Sequence, residues 1–147
     1  MEVSDLRETA ILAHLENVLA SPAFCSSARS SQFLRHVVES ALSGEKEALK
    51  ERVIGERVFG RTAGYDTGQD SIVRVKASEV RRRLAQYYDH STGETLRIEL
   101  PIGCYTPWFH GVTNVPADPE VLKPAEQERP KSRWPAWRLF AGRILQR

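Results

Sequence analysis

The sequence predicts a mainly α-helical domain that carries a small β-hairpin near its end. Three observations support this fold class. Apolar residues recur at helical spacing in four successive segments before residue 90. The segment 95–100 then alternates between polar and apolar residues, as a half-buried strand does. A turn at 101–103, with a proline and a glycine, separates it from a second strand-like segment at 104–109.

The first two predicted helices lie in the amino-terminal third of the chain. The first begins at a polar cap, Ser4 or Asp5, and it ends at Ser21 because the residue before a proline avoids helical geometry. The second covers about 28–42, where a wide apolar face is followed by Gly44, a residue typical of helix ends. The first helix is an addition to the three that follow.

A third, short helix is predicted at about 50–59, and Gly60 closes it. The next ten residues, 61–70, hold two glycines and several polar residues and therefore predict a loop. The fourth helix covers about 70–88 and is capped by Asp70 or Ser71. Its apolar stripe occupies about a third of the circumference and consists of Val73, Ala77, Val80, Leu84 and Tyr88.

Composition is that of an ordinary soluble domain, with 41% hydrophobic and 27% charged residues and a net charge of +2. Any nucleic-acid surface must therefore come from local clusters of lysine and arginine. Two distant cysteines predict neither a disulfide framework nor a zinc site. The polar amino terminus does not resemble a signal peptide, and no apolar run reaches the length of a membrane span, so we expect a cytoplasmic protein.

Signals for catalysis are absent from the sequence. The four histidines lie far apart and show no spacing typical of metal ligands, so we predict no metal site. No glycine-rich phosphate loop follows a strand, and no neighbouring base marks Cys104 as a nucleophile. We therefore expect a protein that is not an enzyme and needs no cofactor.

A basic helix followed by a β-hairpin is the arrangement of the winged helix-turn-helix, a DNA-binding module. A helix of this kind fits the major groove, where outward side chains meet base edges and flanking cations meet phosphates. The predicted base-reading residues, on the side opposite the apolar stripe, are Val75, Ser78, Glu79 and Arg82. The predicted phosphate contacts on the same helix are Arg74, Lys76 and Arg81.

Several of these assignments have alternatives. The arginines at 81–83 also suit a solvated charged face near the end of a helix, where cations complement the helix dipole. Val75 can touch a thymine methyl group or pack beneath the first helix of the motif. Glu79 repels phosphate unless it accepts from a cytosine amino group, and it can instead pair with Arg82 or Arg83 at helical spacing.

Three motifs resemble, in the same order, those of the OmpR/PhoB-type output domain of response regulators. The segment 72–84, IVRVKASEVRRRL, resembles the recognition helix of that family. The segment 53–60, VIGERVFG, is similar to the end of the preceding helix. The segment 97–105, RIELPIGCY, resembles the wing, with Tyr105 at the family's tyrosine. The resemblance covers about 32–109.

The resemblance implies a transcriptional regulator that binds double-stranded DNA, and homodimers are common among such proteins. The loop at 61–70 corresponds to the connector with which that family contacts RNA polymerase. Pro101 and Ile102 replace the arginine-bearing turn of the family, which leaves Arg97 as the DNA contact of the wing. The order of motifs also resembles an amino-terminal module of large bacterial signalling proteins, which stands ahead of cyclase-like or repeat domains.

The sequence divides into three parts: a winged-helix domain with its helical extension at 1–110, a proline-rich linker at 111–130, and a basic aromatic tail at 131–147. The tail can contact a partner protein, the domain itself or a membrane surface. The alternative function is a winged-helix interaction module of a signalling system that does not bind DNA. A positive surface along the fourth helix favours the first function, and a surface broken by carboxylates favours the second.

Overall fold

The computed structural model describes residues 2–111 of the 147-residue chain. The described part is mainly helical and ends in a small antiparallel hairpin, which confirms the predicted fold class at this level. Its helices are α1 (Val3–Ala20), α2 (Pro22–Cys25), α3 (Ala28–Leu42), a 3-10 helix (Lys46–Leu49), α4 (Glu51–Phe59) and α5 (Ile72–His90). The strands are β1 (Arg97–Glu99) and β2 (Trp108–His110), which pair antiparallel with Ile98 opposite Phe109.

The core lies between α3, α5 and the inner side of the hairpin, and α1, α2 and α4 close it. Helix α5 packs on α2, α3 and α4 and also contacts β1. The largest side chains with almost no exposure are Phe24, Phe33, Ile11, Leu15, Leu34, Ile54 and Ile98. The stripe predicted on α5 is buried at Val73, Ala77, Val80 and Leu84. This burial fixes which side of α5 remains at the surface.

Helix bounds differ from the predictions at points where a proline or a cap acts. Pro22 ends α1 as expected, but it also occupies the first turn of α2, where its missing N–H costs nothing. Helix α5 starts at Ile72, whose N–H donates to the Asp70 side chain at 3.0 Å. Each strand has three residues, fewer than predicted, and the connection between them spans 100–107. The sequence pattern did not indicate the 3-10 helix.

His14 on α1 connects three parts of the fold. Its Nε2 lies 3.0 Å from the Tyr88 hydroxyl, and its Nδ1 lies 3.4 Å from the Glu94 carboxylate. The Tyr88 hydroxyl also accepts a hydrogen bond from the Ile98 N–H at 2.7 Å. Burial lowers the pKa of His14, and the negative charge of Glu94 opposes that effect. Burial thus favours the neutral form of this imidazole in the folded chain.

The depressed pKa of His14 predicts a pH dependence of stability. Because the unfolded chain binds this proton more readily than the folded chain, we expect the free energy of unfolding to fall as the pH drops below about 6.5. Denaturant unfolding at a series of pH values measures this change. His14→Gln should flatten the profile in this range. A wild-type profile that is flat around pH 6 would contradict the prediction.

Gly55 on α4 supports the loop that leads to α5. A Cβ atom at Gly55 would overlap the ring of Tyr65, whose hydroxyl donates to the Glu51 carbonyl at 3.4 Å. We expect Gly55→Ala to lower the free energy of unfolding by about 1 kcal/mol, since the clash outweighs the gain in helix propensity. Denaturant unfolding measures the change. In a Tyr65→Ala background the same substitution should be neutral or stabilising, and an equal cost in both backgrounds would contradict this explanation.

Two features of residues 2–111 bear on function. None of the helices there combines the length and the apolar character needed to cross a membrane. No three His, Cys, Asp or Glu side chains of this part come together in a way that can hold a metal ion. The predicted linker at 111–130, from residue 112 onward, and the tail at 131–147 lie outside the described residues.

Candidate nucleic-acid interface

The exposed side of α5 carries three side chains that we call the outer stripe: Val75, Ser78 and Arg82. Their spacing of three and four residues places them one above another on the helix. Val75 is 61% exposed, a high value for a large apolar side chain. Within residues 2–111, no hydrogen bond or ion pair involves the side chains of Ser78 and Arg82. The outer stripe is therefore available to a partner.

Arg74 lies beside the outer stripe, on the side of α4. Its Nη1 lies 2.8 Å from Glu51 Oε1, and about half of its side chain remains exposed. Glu51 also contacts the Tyr105 hydroxyl. Burial, together with the nearby charge of Glu51, raises the pKa of Tyr105 to about 12. The guanidinium of Arg74 is thus held in one place by an acidic neighbour while it stays accessible.

Glu79 turns away from the outer stripe and towards α3. Its carboxylate accepts hydrogen bonds from Lys76 (2.6 Å), Arg83 (2.9 Å) and the Ser30 hydroxyl (3.0 Å). The hydrogen bond from Lys76 and those from Arg83 and Ser30 outweigh the opposing effect of burial and lower the pKa of Glu79 to about 2. The carboxylate is therefore ionised, but two cations neutralise its charge locally. It presents no isolated negative charge beside Val75.

Lys76 and Arg83 are engaged in the same network. Both side chains are about one-fifth exposed, and Arg83 Nη1 donates to the Ala23 carbonyl of α2 at 2.6 Å. The network connects α5 to α2 through Arg83 and to α3 through Ser30. It packs one flank of α5 against the rest of the domain, so Lys76 has less freedom to reach a phosphate than the sequence pattern indicates.

Arg81 packs the opposite flank of α5 against the hairpin. Its Nε donates to the Leu100 carbonyl (2.9 Å), and its Nη2 donates to the carbonyls of Pro101 (3.0 Å) and Cys104 (3.2 Å). Burial lowers the pKa of Arg81, although a guanidinium stays charged at any physiological pH. Three carbonyls of one turn therefore converge on one side chain. This arrangement fixes the hairpin turn relative to α5.

The hairpin itself presents one cation and an apolar turn. Arg97 is exposed on β1, and its guanidinium carbon lies 4.6 Å from the centroid of the Tyr88 ring. Ile102, at the turn, is 90% exposed, and Gly103 follows with a φ of 88° that favours glycine. Trp108 on β2 is about half exposed. The turn thus carries no charge of its own.

The amino-terminal end of α5 faces a surface depression with further cations. It is lined by Arg29, Phe59, Arg61, Asp70, Ser71, Ile72, Val75 and Lys76. Arg29 donates to the Val58 carbonyl at 3.0 Å and remains exposed, whereas Arg61 pairs with Asp70 at 2.6 Å. The ion pair thus joins the two ends of the loop at 61–70 to each other. The contact of this loop with RNA polymerase, which the resemblance implies, remains a prediction.

The predicted site residues consequently divide into two groups. Arg74, Val75, Ser78, Arg82 and Arg97 lie at the surface, whereas Lys76, Glu79 and Arg81 hold neighbouring elements. Sequence reasoning missed Ser30 and Glu51, which come from other helices. It also missed the pairing of Lys76 with Glu79, although their spacing of three residues was a signal for it.

Comparison of the chain with protein-family models, with curated proteins and with solved structures gave no match. The geometry of α5 and of the hairpin is therefore the basis for a functional interpretation.

Proposed function

We propose that residues 2–111 form a winged helix-turn-helix domain that binds double-stranded DNA as a transcriptional regulator. In this proposal α4 and α5 are the two helices of the motif, α5 is the recognition helix, and the hairpin is the wing. The observation that supports the proposal most is the outer stripe of α5, which is exposed, contains a cation and lacks a carboxylate. The inward turn of Glu79 removes the repulsion that its position in the sequence suggested.

The chemistry of the outer stripe suits the edges of base pairs in the major groove. Val75 offers the apolar contact that a thymine methyl group accepts. Ser78 can donate to or accept from any base, and Arg82 can form two hydrogen bonds with the O6 and N7 of guanine. The three side chains span about 10 Å along the helix, which is the length of about three base pairs. Arg82 is the one that contributes most to sequence preference.

Cations on either side of the outer stripe are placed to meet phosphates. Arg74 lies on one side, and Arg29 lies near the amino-terminal end of α5 on the other. Arg97 extends the positive surface to the wing. Because the whole chain has a net charge of only +2, this local cluster must supply the attraction for DNA. Lys76, Glu79 and Arg81 act as positioning residues that hold α5 and the wing in one orientation.

The experiment that tests this function is a fluorescence-anisotropy titration of the full chain against a random-sequence duplex at two salt concentrations. Binding that weakens steeply as salt rises supports the proposal, since displaced counterions are the signature of phosphate contacts. Absence of binding at low salt contradicts it.

A second candidate function is a protein-interaction module of a signalling system, and the hairpin favours it. Ile102 is 90% exposed at the turn, Trp108 is about half exposed, and no cation stands between them along the turn. Apolar side chains of this size are typical anchors of protein interfaces. Failure to bind DNA, combined with loss of partner binding in Ile102→Ser, favours this second function.

A further inference from the structure

Helix α1 has a side that nothing in residues 2–111 covers. The residues of α1 that pack against the rest of the domain are Ile11, His14, Leu15 and Val18, which are all buried. Every residue from 2 to 10 is exposed, including Val3 at 66% and Leu6 at 56%. Two apolar side chains of this size therefore stand in water on the first turns of a helix that is otherwise well packed.

The exposed residues of α1 include a seam with a regular spacing. It consists of Val3, Leu6, Ala10, Ala13 and Asn17, all exposed, at steps of three, four, three and four residues. This is the spacing of the a and d positions of a heptad, which directs one side of a helix towards another helix. The buried residues Ile11, Leu15 and Val18 fall outside this pattern, and the buried His14 takes the e position beside it. The seam thus borders the side that packs in the core and is itself exposed.

We propose that this seam pairs with the same seam of a second copy of the chain, in a parallel two-helix coiled coil. In a parallel pair, the g position of one helix faces the e position that lies five residues later on its partner. Glu2 and Arg7 occupy these two positions and have opposite charges. Within the described residues neither of these side chains has a partner. A parallel dimer forms this ion pair twice.

The other features of the seam agree with two parallel strands in register. An antiparallel pair would place Arg7 against the same arginine of its partner, so like charges would meet. Asn17 at an a position would face its counterpart, an arrangement that fixes register and favours two strands. Ala10 and Ala13 allow close approach. Because only Val3 and Leu6 are large, the dimer is expected to be weak and to depend on concentration.

Sedimentation equilibrium of the full chain, from micromolar to millimolar concentration, tests the proposal. The wild-type chain should shift from monomer to dimer as its concentration rises. Leu6→Glu, which places a charge in the seam, should raise the dimer dissociation constant by at least about tenfold. The control Leu12→Glu alters an exposed leucine of α1 outside the seam and should dimerise as the wild type does.

Charge exchange tests the parallel arrangement. Arg7→Glu should weaken the dimer, and the double variant Glu2→Arg with Arg7→Glu should restore it, because both ion pairs then form with reversed sign. Thermal unfolding of each variant checks that the fold is intact. A wild-type chain that stays monomeric at every concentration overturns the proposal. A Leu6→Glu variant that dimerises like the wild type also overturns the proposal. Neither outcome bears on DNA binding by α5, which a monomer can perform.

Discussion

Arg82→Ala is expected to weaken binding to a preferred duplex by about 1–3 kcal/mol, which corresponds to roughly a 5- to 150-fold rise in Kd. Arg82 is exposed in the outer stripe and has no partner within residues 2–111, so its loss leaves the fold unchanged. Its guanidinium can form two hydrogen bonds with guanine, and alanine can form neither. The measurement is an anisotropy titration against a duplex selected from a random pool.

The matched control for Arg82→Ala is Lys46→Ala. Lys46 is an exposed cation of the 3-10 helix, which packs on α3 and α4. Both variants lose one charge, so a general loss of positive charge affects them equally. A large effect on the selected duplex for Arg82→Ala alone indicates base recognition. A small effect with a shallower salt dependence indicates a phosphate contact, and equal affinities of wild type and Arg82→Ala exclude this residue from the interface.

Glu79→Ala is expected to lower the free energy of unfolding by about 3 kcal/mol. The substitution removes the acceptor that Lys76, Arg83 and Ser30 share, and it leaves two largely covered cations without their counter-charge. The contact of α5 with α2 and α3 is weakened as a consequence. Chemical denaturation at neutral pH measures the change. Because α5 presents the outer stripe, we also expect weaker DNA binding in this variant.

A matched control and a pH series separate this effect from a general loss of negative charge. Glu39 lies 3.6 Å from Arg35 in an exposed pair, so Glu39→Ala should cost less than about 1 kcal/mol. The folded-state pKa of Glu79 is about 2, below its ordinary value. Its contribution is therefore complete above about pH 4.5 and is lost as the pH falls towards 2. Equal stabilities of Glu79→Ala and Glu39→Ala contradict the structural role of Glu79.

The bounds of the helices that carry the site could be predicted from the sequence to within two residues. The segment 28–42 was predicted and found as α3, and the prediction of about 50–59 differs from α4 by one residue. These segments combine an apolar stripe of helical period with a clear stop at Gly44 or Gly60. The prediction for α5 missed its start by two residues, because Asp70 acts as the cap from outside the helix.

The strand lengths of the hairpin and the presence of α2 were harder to predict from the sequence, because these elements depend on more distant contacts. Alternation predicted strands of six residues, but only three residues of each one pair. Arg81 holds the turn through the carbonyls of Leu100, Pro101 and Cys104, which directs them away from the opposite strand. A four-residue helix such as α2 has too few residues to show any period.

For three of the eight predicted site residues, Lys76, Glu79 and Arg81, one helix alone does not show the contacts that the structure gives them. Periodicity places Glu79 and Lys76 outside the apolar stripe, and neither of them is among the buried residues of α5. It does not show that Ser30 of α3 donates to Glu79 on this flank, or that Lys76 pairs with Glu79 there. The partner Ser30 lies 49 residues away in sequence, so no local pattern connects it with Glu79. Val75, Ser78 and Arg82, by contrast, lie opposite the core, where the angle alone decides exposure.

Amide chemical-shift mapping is the first measurement to make on the outer side of α5, because it shows residue by residue whether this surface binds DNA. The isotope-labelled full chain is titrated with a selected duplex, and shifts are followed residue by residue. We expect the largest shift changes at Val75, Ser78 and Arg82, with smaller ones near Arg97. Shift changes confined to another surface would contradict DNA binding by α5. The absence of shift changes at duplex concentrations high enough to saturate the phosphate contacts would contradict it too.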